Sequence, residues 1–330
     1  MLAAGARHKN CRRIDSAQNT LTKAKVKRVL LLLLLIAGVT LLAGWYFYAR
    51  DYGSYFEERR GVYAGALVRP VSRDTLVERS WVTVRNEDGF TVECGMLAPR
   101  DTLGKYPAII VLGGKATGKF AVEYASGFTR AVIFAVDYPY TPLESYTITS
   151  FLRSVPAIRN ALIDMVPSVM LVIDYLLRRK DVDASKIVLL GYSFGAEFVP
   201  CIVAHDRRPA IAAMVYGGGD LRFLITHNVR RYEGEVISQS VGVLGGYLLR
   251  PLEPMRFIGR VSPMPLIMIN GAHDEQVPRH SAELLYSAAG EPKTITWLES
   301  RHVRPDNIEL TGTIMTELKR ELEKRGIIVK

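Results

Sequence analysis

Five short, mostly apolar runs and a sixth strand-like run at the end fix what this chain can fold into. They are YPAIIVLGG (106–114), RAVIFAVDYP (130–139), SKIVLLGYS (185–193), AIAAMVYGGG (210–219), MPLIMING (264–271) and KTITWLE (293–299). Each is too short for a helix of that hydrophobicity. Most of them end in Gly or Pro. Runs of this kind are strands buried on both faces, which is the situation of a parallel sheet covered by helices. Helical patterns stand between them. In VPSVMLVIDYLLRRK (166–180), Val169, Leu171, Val172, Tyr175 and Leu176 fall at helical spacing, with basic residues in the last turn. GAEFVPCIVAH (195–205), SAELLYSAAG (281–290) and DNIELTGTIMTELKRELEK (306–324) read the same way. Ahead of them, SWVTVRNEDGFTVECGMLAP (80–99) alternates apolar and polar residues around Asp88-Gly89, the signature of a hairpin. A hairpin followed by alternating strands and helices predicts an α/β domain with a mostly parallel sheet. Residues 220–262 fit no strand–helix unit and are expected to be a cap over the sheet's carboxyl edge. Residues 139–168 are expected to be a second irregular region there.

The third run carries Gly191-Tyr192-Ser193-Phe194-Gly195. Three fixed positions of this kind recur by chance at about one site in 3,000, so the setting has to decide what they mean. Here the setting is strand, tight turn, helix. The glycines let strand and helix pass closely, and the turn holds Ser193 at strained angles, its hydroxyl exposed at the sheet's end. A serine hydroxyl is a poor nucleophile without a base. In sites of this layout an acid and then a histidine follow in the chain. Asp274 follows the run ending at Gly271, and among six histidines His302 alone follows the last strand. Three such residues arriving in order are far less probable than the pentapeptide alone. The bland alternatives are a turn serine, a turn aspartate with Glu275 as the acid, and a surface histidine. His273 is read as a loop residue, Glu197 and Asp137 as structural, and Gly217–Gly219 as a strand-end turn.

With DYLLRRKDVDASKIVLLGYSFGA, LIMINGAHDEQVP and ESRHV, the chain resembles the α/β-hydrolase superfamily, in its dienelactone-hydrolase and prolyl-oligopeptidase-like branch. The likeness spans about residues 80–328. It implies an α/β-hydrolase fold, with Ser193 as nucleophile, His302 as base and then acid, and Asp274 orienting the imidazole. The N–H of Phe194 would be one oxyanion donor. Many members have His-Gly after the third strand, where this chain has Gly113-Gly114-Lys115. The second donor would then be Gly114 or Lys115. Lys115 is read as a solvated loop lysine, against a cation favouring an acidic acyl group. No cofactor is implied.

Net charge is +10 over 330 residues, which suggests nucleic-acid binding until its distribution is read. Residues 1–28 hold eight basic residues against Asp15 alone, so the tail carries seven of those ten charges. No basic stripe with interleaved aromatics appears elsewhere, and a nucleic-acid partner is not expected. The tail leads into VLLLLLLIAGVTLLAGWYFY (29–48), twenty residues without a charge and with aromatics gathered at the far end. That is long enough to span a bilayer, and basic residues before it keep the N-terminus cytoplasmic. An uncleaved anchor is expected rather than a cleaved signal, because the run exceeds a signal's apolar region and no A-x-A site follows. The catalytic part would then lie on the exported side. Cys94 and Cys201 are read as buried free thiols, and no His/Cys cluster has metal spacing.

The expected organisation is a basic tail (1–28), an anchor (29–48), a stalk or packing segment (49–79) and a hydrolase domain (80–330) with its cap. The expected activity is cleavage of a small or medium carboxylic ester through an acyl-enzyme. Acyl transfer, thioester cleavage and peptide cleavage use the same three residues. A non-catalytic binding protein on the same fold is the reading of another class.

Overall fold

The computed structural model describes residues 49–101, 104–114, 117–140, 147–304 (except the side chain at 148) and 306–328, together with 27, 31, 33–39, 41–42 and 44–46. The chain divides into two units, Met1–Asp51 and Tyr52–Lys330. In the first, an apolar helix runs from Leu33 to Tyr46. The expected anchor is described only in part, and Cys11 lies outside the described residues.

The second unit opens with helix α1 (Gly53–Arg60) and strand β1 (Tyr63–Arg73). Both fall in the segment expected to be a stalk or packing segment. The alternating stretch folds as the hairpin β2 (Val77–Asn86) and β3 (Thr91–Pro99), with Gly89 at φ +84° in its turn. The apolar runs become β4 (Tyr106–Leu112), β5 (Val132–Val136), β6 (Val182–Tyr192), β7 (Ile211–Val215), β8 (Leu266–Gly271) and β9 (Lys293–Leu298). They form one sheet in the order β1-β2-β3-β5-β4-β6-β7-β8-β9. It is parallel from β5 to β9, and β1, β2 and β3 are joined to it by antiparallel pairs. Every residue of β4, β5, β7 and β8 is buried, as two-faced coverage requires, while β2 alternates. Edge strand β1 is largely exposed and carries Arg69, Pro70 and Arg73, residues that blunt further strand pairing.

Helices cover both faces. Helix α2 (Ile148–Leu176) begins well before the predicted 166–180 and replaces most of the expected irregular region. Two features explain this. A capping box between Thr147 and Ser150 starts the helix, and Ile163 through Leu176 supply a nearly continuous buried face. An interior proline costs a helix about 3 kcal/mol, so Pro156 and Pro167 are tolerated because tertiary burial outweighs them. The stretch Thr149–Leu176 is long and apolar enough for a membrane span, but two-thirds of its most apolar window (67%) is buried in the protein, which makes it a core helix. After β6 a 3₁₀ turn (Ser193–Phe198) leads into α3 (Val199–His205). The segment expected as a cap forms two helices, α4 (Leu221–Arg230) and α5 (Glu235–Leu248), then a helical turn at Pro254–Phe257. Helices α6 (Arg279–Ala288) and α7 (Ile308–Lys324) complete the chain. One core lies under α2 and α3, the other under α7.

The chain leaves β4 towards β5 on one side and returns to β6 on the other. The crevice at the carboxyl ends of β4 and β6 is therefore a topological switch point, where sheets of this kind place ligands.

Candidate active site

Ser193 stands at that crevice, directly after β6. Its backbone is left-handed, φ +50°, a conformation costing a non-glycine residue about 1–2 kcal/mol. The flanking glycines make the turn possible. A Cβ on Gly195 would sit 2.1 Å from the Leu112 carbonyl oxygen of β4, and one on Gly191 would sit 2.5 Å from the Ala196 Cα. No side chain fits at either position, so this sharp turn is affordable only with glycine there.

Three side chains from three strand ends meet. Ser193 Oγ lies 2.7 Å from His302 Nε2, and His302 Nδ1 lies 2.7 Å from Asp274 Oδ2. Asp274 and His302 are 8% and 6% exposed, so their contact is shielded from bulk water. The other oxygen of Asp274 accepts backbone N–H bonds from Gln276 (2.7 Å) and Val277 (2.9 Å), which fixes the carboxylate's plane. The ring of Tyr216 meets the His302 imidazole edge-on, 5.6 Å between centroids. Tyr216 is itself left-handed, φ +57°, and its phenol hydrogen-bonds the Ser300 hydroxyl.

Glu275, the alternative acid, does not reach the imidazole ring nitrogens. It accepts the backbone N–H of His302 (3.1 Å) and faces Arg301 and Arg304 at 3.5 Å each. Its partial burial pushes the carboxyl up. The backbone donors, His302 first, and the Arg301 guanidinium outweigh that and hold it at about 2. Glu275 thus clamps the histidine loop as a permanent anion. Nothing in the strand–helix pattern distinguished its role from that of Asp274, because the two are adjacent.

Of the expected oxyanion groups, Phe194 follows Ser193 in the 3₁₀ turn, and Gly114 lines the same cavity. The Gly114 carbonyl accepts from the Thr117 backbone N–H (3.0 Å) and hydroxyl (2.9 Å), and the Gly113 carbonyl accepts from the Tyr138 phenol (2.5 Å). These bonds hold the loop after β4 beside the serine. Lys115 lies outside the described residues. Sequence reasoning missed Tyr138 and Tyr216, since an aromatic at a strand end carries no pattern of its own.

Of the other described histidines, His273 pairs with Glu299 at the surface (2.9 Å), His205 packs between Phe56 and Phe257, and His227 Nε2 lies 3.0 Å from the Glu275 carbonyl. Cys94 and Cys201 are both buried. Among the described residues no His/Cys/Asp/Glu cluster has metal-binding geometry. Glu197 is buried beside the site. Burial pushes its carboxyl well above the ordinary range, against one backbone bond from Gly218 N–H (3.1 Å), and its other oxygen has no hydrogen-bond partner among the described residues.

A cavity of about 620 Å³ opens onto Ser193 and His302. Leu162, Phe194, Phe198, Leu221, Leu224 and Leu252 give it apolar walls, and the cap supplies Asn228, Arg231 and Tyr232.

The fold is that of the α/β-hydrolases, and the site has the layout of a serine hydrolase: a strained serine, a buried histidine and an acid beneath it. Comparison with known proteins agrees with that class. The family model for the prolyl oligopeptidase family matches residues 163–296. "Uncharacterized protein YfhR" of Salmonella typhi is 31% identical over 122 residues, 37% of this chain and 41% of that protein. The protein of the same name from Escherichia coli K12 is 30% identical over 118 residues, 36% and 38% of the two chains. The chain therefore matches about two-fifths of the length of these curated relatives. Among solved structures, an acetyl xylan esterase from a Paenibacillus strain superimposes with TM-score 0.59 at 16% identity, covering 83% of this chain and 93% of that one. Acetyl xylan esterase 1 from a Thermoanaerobacterium strain gives 0.55 at 15% identity, covering 82% and 94%. At such identities these likenesses establish the fold.

Proposed function

We propose that the protein is a membrane-anchored serine hydrolase that cleaves carboxylic esters. The observation that carries the reading is the Ser193–His302–Asp274 relay, closed by two 2.7 Å contacts at the floor of the cavity. His302 Nε2 takes the hydroxyl proton as Ser193 Oγ attacks the ester carbonyl. Asp274, at Nδ1, stabilises the imidazolium that forms. The Phe194 N–H and a donor from the Gly114–Lys115 loop receive the negative charge on the carbonyl oxygen. The tetrahedral intermediate collapses, His302 returns its proton to the departing alcohol, and an acyl-serine remains. Water, deprotonated by the same imidazole, then releases the acid and regenerates the hydroxyl. The mainly apolar walls suit a small or medium acyl chain.

The anchor is the run 29–48, with the tail cytoplasmic and the hydrolase unit exported. Its support is the length of the run and the basic residues before it. A chromogenic ester tests the chemistry. The expected result is a pre-steady-state burst of alcohol, stoichiometric with enzyme and absent in Ser193→Ala. Steady turnover in Ser193→Ala equal to wild type would sink the reading.

A further inference from the structure

The cap carries a surface that the chemistry at Ser193 does not use. Residues 236–249 contain no ionisable side chain apart from the phenol of Tyr247. Helix α5 packs onto α4 through small residues one turn apart, Ser238, Gly242 and Gly246. A Cβ on Gly242 would lie 1.9 Å from the Thr226 hydroxyl, and one on Gly246 would lie 2.8 Å from the Arg222 Cβ. The large residues therefore point away from the protein. Val236 (80% exposed), Ile237, Val241, Val243, Leu244 (52%) and Tyr247 all face outward. Soluble surfaces rarely expose so many large apolar side chains together.

The patch is continuous with the cavity. Arg231 and Tyr232, just before α5, and Leu249, just after it, line the same space as Ser193 and His302. Tyr232 is 81% exposed, so this is where the cavity opens. Arginines bracket the helix, Arg230 and Arg231 at one end and Arg250 and Arg256 at the other. Glu233 and Glu235 stand among the first pair, and Glu235 pairs with Arg230. The remaining acids of the segment are turned inward. Asp220 accepts the Phe223 N–H, and Glu253 accepts those of Asp220, Leu221 and Met255.

We propose that the outer face of α5 docks on an anionic phospholipid bilayer and presents the cavity opening to esters dissolved in it. The inference rests on the ester-hydrolase reading and names where its substrate comes from. An apolar helix face with basic residues at its ends is the pattern of an interfacial helix. A second copy of the chain is the competing occupant, and the disulfide arm of the test below reports it.

The full chain in a Cys11→Ser background, reconstituted into phosphatidylcholine vesicles with and without phosphatidylglycerol, tests this. Cys94 and Cys201 are fully buried, so an environment-sensitive dye attaches selectively at Leu244→Cys or, as control, at exposed Glu299→Cys. The expected result is blue-shifted emission at position 244, quenched by spin-labelled lipid and more strongly with phosphatidylglycerol, while position 299 stays in water. Equal, water-like emission at both positions overturns the proposal. So does a 244–244 disulfide forming in detergent, which marks a second copy as the occupant. Neither readout needs turnover, so failure of the ester-hydrolase reading is seen separately. As a second variant, Ile237→Glu/Leu244→Glu is expected to cut hydrolysis of a bilayer-dispersed long-chain ester about tenfold, leaving a soluble short-chain ester unaffected. Equal effects on both substrates count against the docking surface.

Discussion

Asp274 and Glu275 are adjacent carboxylates with different work. Asp274 faces the imidazole, while Glu275 holds the backbone of the histidine loop. Asp274→Asn keeps an oxygen for the Gln276 and Val277 N–H groups but loses the charge opposite Nδ1. Turnover is expected to fall about 10³- to 10⁴-fold, with the thermal midpoint nearly unchanged. Activity close to wild type would remove Asp274 from the relay. Glu197 gives a prediction in pH. Its carboxyl is raised by burial, so the folded state keeps a proton that the unfolded chain releases as pH climbs through the ordinary carboxylate range. Its contribution is therefore most favourable in acid and is lost as pH rises towards the folded value. Glu197→Gln removes that dependence. The stability of the variant relative to wild type should grow as pH rises above the ordinary carboxylate range. An offset that stays constant across this range contradicts a buried neutral carboxyl.

At the scale of elements, the β6 turn is the most constrained junction. Gly195→Ala would drive a methyl into the Leu112 carbonyl, 2.1 Å away. Urea unfolding should show a loss of about 2–4 kcal/mol, and a loss below about 0.5 kcal/mol would mean the backbone yields. That junction was legible in the sequence because glycine spacing and an apolar run are local signals. The six strands β4 to β9 and the hairpin were legible for the same reason. Helix α1 and strand β1 were not. Helix α1 is held by residues more than a hundred positions away, with the Tyr55 phenol and Arg59 on Asp164 and Arg60 on Asp174. Strand β1, an edge, needs no alternating burial to exist. The early start of α2 was not legible, because the helical spacing was read only over 166–180 and the burial that outweighs Pro156 is a tertiary property.

At the scale of the whole molecule, Ser193, Asp274 and His302 were legible as candidates because the fold fixes their order and strand ends. The clamp by Glu275, the Tyr216 contact and the walls of the cavity depend on which loops meet in space, and sequence alone does not carry that. Topology can be read directly. A periplasm-active reporter fused after Lys330 should be active and a cytoplasm-active one silent, whereas the reverse pattern would refute an exported catalytic unit. The central claim is that Ser193 is an activated nucleophile. Reaction of the folded protein with a fluorophosphonate, followed by peptide mass mapping, tests it most directly. The account predicts one adduct, on Ser193, lost in both Ser193→Ala and His302→Ala. A folded wild-type protein that stays unlabelled, or an adduct on a different residue, would contradict it.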